Sequence, residues 1–77
     1  GPRGGEAMAK VITLTGLMSR QWKAADGEKF RRQVLRNALR DSGGEAVEIR
    51  LDTGVIVDRI PSDAEAAADG YSIDRSV

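Results

Sequence analysis

At 77 residues and 8.3 kDa the chain has room for one small domain, near the size at which a single core barely offsets chain entropy. It holds no histidine and no cysteine, which excludes disulfides, zinc-finger ligation and Ser-His-Asp or Cys-His catalysis. Net charge is zero, and no apolar run approaches the roughly 20 residues that span a bilayer, so composition predicts a soluble, cytoplasmic, non-enzymatic protein without cofactor, metal or membrane contact.

The opening Gly1-Pro2 resembles a protease-cleavage scar and Met8 a native start, so residues 1–8 are expected to be disordered and 9–77 to form a single small α+β domain. "KVITLT" (10–15) is rich in β-branched residues and reads as a strand, with Ile12 and Leu14 on one face and Val11 and Thr13 on the other. "GLMSRQWKAADG" is a connection in which Ser19 caps a short helical turn. A main helix then starts with Asp26 as N-cap and Glu28 in its first turn, and ends with Arg36 and Arg40 in the last turns before Gly43 or Gly44. "AVEIRL" (46–51) alternates cleanly, "DTG" turns the chain, and "VIVDRI" (55–60) returns as a hairpin partner. In "PSDAEAAADG", Ser62 and Glu65 have capping-box spacing, and Gly70 is the stop of a weak, alanine-rich helix. "YSIDRSV" either adds a short edge strand or frays. The order predicts an α+β sandwich, β-α-β-β-(α)-(β), with a three- or four-stranded mixed sheet whose first two strands are parallel.

Turning roughly 100° per residue, the main helix places Phe30, Val34, Leu35, Ala38 and Leu39 on one side and Lys29, Arg32, Arg36 and Arg40 on the other. A helix laid on a sheet must have a wet back, so this basic stripe is first of all solvated surface. Arg31 falls on the apolar side, where it either snorkels or anchors a carboxylate or phosphate. If Ile12, Leu14, Val47, Ile49 and Leu51 meet the helix, Val11, Ile56 and Ile60 tend toward the opposite face, which one alanine-rich helix covers thinly. That face predicts association with a protein partner or a second copy.

The zero net charge conceals a split. Residues 1–40 carry nine basic side chains against three acidic, and residues 41–77 carry three against nine, so the halves are +6 and −6. Mutual neutralisation across the fold is the preferred expectation, because a small domain brings both halves within about one Debye length of roughly 8–10 Å.

The remaining motifs are weak. "LDTGV" (51–55) matches the short aspartic-protease signature, but a single copy would need a symmetric dimer, and turn chemistry explains Asp-Thr-Gly without it. "TGLMSR" (15–20) lacks the lysine and glycine spacing of a phosphate loop. One Trp, one Tyr and one Phe are too few for base stacking. Nucleic acid could still be met through Arg20, Lys23, Lys29, Arg32, Arg36 and Arg40.

"DGEKFRRQVLRNAL" followed by "EAVEIRLD" resembles the STAS-like domains of unknown function, over residues 26–52. The resemblance implies a β-α-β regulatory interaction module, with Ser62 at a helix start as a modification or contact position. The expected function is therefore a non-catalytic regulatory or adaptor module acting by protein–protein interaction, as a homodimer or with another protein. Val11, Ile56 and Ile60 would be its apolar anchors, with the acidic segment of Asp58, Asp63 and Glu65 steering a basic partner. Nucleic-acid binding by the basic helix face is the alternative.

Overall fold

Where β-branched runs and punctuating glycines fall along the chain sets the element order. The computed structural model describes residues 9–76, with β1 (Lys10–Thr13), α1 (Gly16–Lys23), α2 (Glu28–Asp41), β2 (Val47–Arg50), β3 (Ile56–Ile60) and α3 (Asp63–Ala68). The sheet is three-stranded and mixed, in the order β1-β2-β3. β1 runs parallel to β2 with Ile12 opposite Ile49, and β3 is antiparallel to β2 with Val47 opposite Ile60. This is the α+β architecture expected, without the optional fourth strand: residues 71–76 form no regular structure.

The core gathers Leu14, Trp22, Ala38, Val47, Ile49, Leu51 and Ile60, with Phe30, Val34, Leu35 and Leu39 of α2 packed against it. Both α1 and α2 therefore lie on one side of the sheet, and α1 also rests against α2. The amphipathic spacing of α2 dictates this: its apolar stripe has a sheet to cover, and its arginines stay wet.

Four details depart from expectation. β1 ends at Thr13, two residues early, where its partner β2 ends at Arg50. Leu14 still donates to the Arg50 carbonyl, and the chain turns only at Gly16, with a φ of +53°. The expected short turn is a full eight-residue helix whose N-cap is Thr15. Ser19 is not its cap but sits inside it at 1% exposure, one turn before Trp22. The N-cap of α2 is Gly27, not Asp26.

A further departure matters most. Ile49 pairs with Asp58 but Arg50 pairs with Ile56, so Val57 is an extra residue in β3, a β-bulge. One inserted residue reverses which face each side chain takes. Ile56 and Ile60 therefore do not share a face: Ile60 enters the core at 8% exposure, while Ile56 stays outside at 49%. Val57 joins the core side.

Candidate functional site

The sheet face turned away from α1 and α2 follows from the register. Across it run Val11, Glu48 and Arg59 in one row and Thr13, Arg50 and Ile56 in the next. Glu48 and Arg50 pair at 2.8 Å in the middle. Val11 is 50% exposed on one edge strand, and Ile56 lies diagonally across on the other. Two of the three expected apolar anchors are thus on an uncovered face, and the third is not. Ile60 belongs to the core for the bulge reason already given. Val55, beside Ile56, is also exposed. It escaped sequence reading because a residue at a strand start has no face until register is known.

The acidic side chains Asp58, Asp63 and Glu65 are each engaged by a partner within the chain. Glu65 is held twice, by a bidentate contact from Arg59 (3.1 and 3.0 Å) and by the Ser62 backbone N–H at 2.9 Å. Those bonds, the Ser62 backbone bond foremost and the Arg59 side-chain bond next, lower its carboxyl pKa below the ordinary 4.5. Asp63 accepts from Arg75 Nε at 2.9 Å. The Asp58 carboxylate turns back to accept from the Arg59 backbone N–H at 2.8 Å. Ser62 is the N-cap of α3, its hydroxyl accepting from the Glu65 backbone N–H at 3.0 Å in a full capping box. The acidic residues thus maintain local structure.

Arg75, unflagged by the sequence reading, ties three regions together. Its guanidinium donates to the Ser42 hydroxyl (2.6 Å), the Leu39 and Pro61 carbonyls (both 3.3 Å) and Asp63. It satisfies an orphan carbonyl at the end of α2 and fixes the tail against α3. No local pattern could have found it, since its partners lie 12 to 36 residues away. Arg31 resolves the other way: it donates to the Trp22 carbonyl at 2.6 Å and the Ala24 carbonyl at 3.0 Å, closing the end of α1. It anchors backbone.

Arg20 and Lys23 end α1 and, with Lys29, Arg32, Arg36 and Arg40 of α2, are all exposed on the helical layer. Arg32 meets Glu28 at 3.4 Å and Arg40 meets Asp41 at 3.6 Å. Every ion pair among the described residues is local in this sense: Arg50, Arg59 and Arg75 take Glu48, Glu65 and Asp63 from their own half. Among the described residues, the ion pair that joins the basic half to the acidic half is that of the sequence neighbours Arg40 and Asp41.

Asp52 of the protease-like signature is exposed in the hairpin turn, 3.5 Å from the Ser19 hydroxyl, and Gly54 takes a φ of +89° there. Among the described residues no cluster of three acidic side chains is placed to hold a metal ion, and no helix is long and apolar enough to cross a membrane. Compared with family models, with curated proteins and with solved structures, the chain has no significant match.

Proposed function

We propose that the chain is a non-catalytic regulatory or adaptor module that acts by protein–protein contact through the uncovered side of its sheet. The observation carrying this is the half-exposed pair Val11 and Ile56 on a face that neither α1 nor α2 packs against. The resemblance to STAS-like domains implies the same kind of module. The aspartic-protease-like Asp52 is a single carboxylate in a turn, and the Ser19 hydroxyl that donates to it at 3.5 Å is buried at 1% exposure, out of a substrate's reach.

Light scattering over about a hundredfold range of concentration, with wild type and Ile56→Asp, tests the reading. Association that Ile56→Asp weakens supports it. A strict monomer indifferent to Ile56→Asp, with no other protein protecting Val11 or Ile56 in hydrogen exchange, removes it.

A second reading rests on a different observation: among the described residues, six exposed cations on the helical layer have two carboxylate neighbours within ion-pair reach, both solvent-exposed. That layer suits a phosphate backbone, without base stacking because Trp22 is in the core. Duplex binding would weaken with log salt at a slope of about −0.9 per phosphate neutralised. Lys29→Glu with Arg36→Glu would reduce it; a slope near zero, or no change in the double variant, excludes this reading.

A further inference from the structure

The two edges of the sheet are built differently. On β3 the bulge at Val57 breaks the ladder, Asp58 and Arg59 place charge on the strand, and Pro61 follows at once. Each of these discourages a further strand. β1 carries one charge, Lys10 at its start, but is regular from Lys10 to Thr13, with neither bulge nor proline. Its ladder to β2 uses the Lys10 N–H to the Ala46 carbonyl (2.8 Å) and the Leu14 N–H to the Arg50 carbonyl (2.7 Å). Strand backbone groups alternate sides, so those of Ala9, Val11 and Thr13 point away from the sheet. Beside this edge, between β1 and α2, runs a groove of about 210 Å³ lined by Lys10, Ile12, Ala38, Asp41 and Val47 among others.

We infer that this edge takes the same edge of a second copy, antiparallel and centred on Val11. The inference rests on the protein-contact reading above and adds its occupant and register. Ala9 of one copy faces Thr13 of the other, Val11 faces Val11, and Thr13 faces Ala9, each pair exchanging both backbone bonds. An edge offering donors and acceptors in turn is its own complement about a two-fold axis. In this register Ile12 of the second copy lies beside Lys10 at the mouth of the groove, along Ala38 and Val47. Lys10 of the second copy comes opposite Ile12, within reach of Asp41 on the groove wall. The two-fold axis repeats that charge match. Centring on Ile12 instead would keep only two bonded pairs and set Lys10 against Leu14, which is fully buried. The Val11-centred arrangement joins two sheets into one of six strands and brings both Val11 side chains together.

The chain has no cysteine, so Val11→Cys introduces a single thiol. Directly opposed residues of a bonded antiparallel pair have Cα atoms about 5.5 Å apart, inside the disulfide range of about 4.4–6.8 Å. Mild oxidation is expected to cross-link Val11→Cys in native buffer but not in denaturant, while Ile56→Cys, equally exposed, stays monomeric. Val11→Pro removes an N–H that faces solvent in the monomer, so it should fold with a wild-type circular dichroism spectrum and lose the dimer. Lys10→Asp and Asp41→Lys should each weaken association several-fold, and together restore it.

A wild-type chain that stays monomeric and a Val11→Cys variant that cross-links no faster than Ile56→Cys would overturn the assignment, even if the edge then accepts a peptide from another protein. So would a folded Val11→Pro that associates as before. If Val11→Cys fails while Ile56→Asp still alters association, the edge register falls and the sheet-face reading stands; if both are silent, both fall.

Discussion

Gly27 shows how one residue can be required without unusual backbone angles. Its φ is −87°, ordinary for any amino acid, yet a Cβ there would collide with the Gln21 carbonyl oxygen and stand 2.9 Å from Arg31 Nη1. The tight turn from α1 into α2 and the Arg31 clamp occupy that space together. Gly27→Ala is expected to destabilise by about 1–3 kcal/mol, through overpacking against backbone that cannot yield. Arg31→Ala should cost a comparable amount, roughly 1–3 kcal/mol, by leaving the Trp22 and Ala24 carbonyls without their donor. Urea midpoints with unchanged slopes would measure both; shifts within error would remove the clamp from the account. The sequence placed Arg31 correctly on the apolar side of its helix. Its target stayed hidden, because the carbonyls belong to a helix that local signals shortened to a turn.

At the scale of elements, α3 is the informative case. Six residues, mostly alanine, are too short to hold a helix by propensity, so its ends must hold it. Ser62→Ala should cost about 1 kcal/mol and raise amide exchange across Asp63–Ala68 while leaving β2 protected. Equal exchange in both variants would show that the cap is dispensable. The pH dependence has a definite sign. The Glu65 pKa is depressed in the fold, so its contribution is present above its ordinary 4.5 and fades as pH falls through the lower folded value. Acid should therefore loosen α3 locally, and Glu65→Gln should flatten that acid limb. The capping box was legible because its residues stand three apart. The Arg75 clamp was not, because a guanidinium can reach any surface carbonyl and only packing selects one.

At the scale of the molecule, the bulge at Val57 decides which side chains meet water. Ile60→Asp would bury a carboxylate in the core cluster beside Val47, and should cost at least about 3 kcal/mol or abolish folding. Ile56→Asp, on the outer face, should change thermal stability by less than about 1 kcal/mol. Thermal melts of the two variants compare them directly; similar losses would mean that both isoleucines are core residues and that the uncovered face is smaller than described. The charge split also belongs here. Its two halves remain distinct because each carboxylate-rich segment finds arginines close at hand, in Arg50, Arg59 and Arg75.

From the chain alone came the α+β class, the parallel β1–β2 pair, the inward stripe of α2, the hairpin turn at Asp52–Gly54 and the capping box. These depend on periodicity and on residues within a few positions of one another, and such interactions are written in order along the sequence. Tertiary structure decided the face of Ile60, the inward turn of Arg31 and Arg75, the capture of the acidic segment and the contrast between a guarded and an open sheet edge. Each of these depends on strand register or on a partner distant in sequence. A single extra residue in β3 inverts the register, and no local pattern of side chains distinguishes a strand with that residue from one without it.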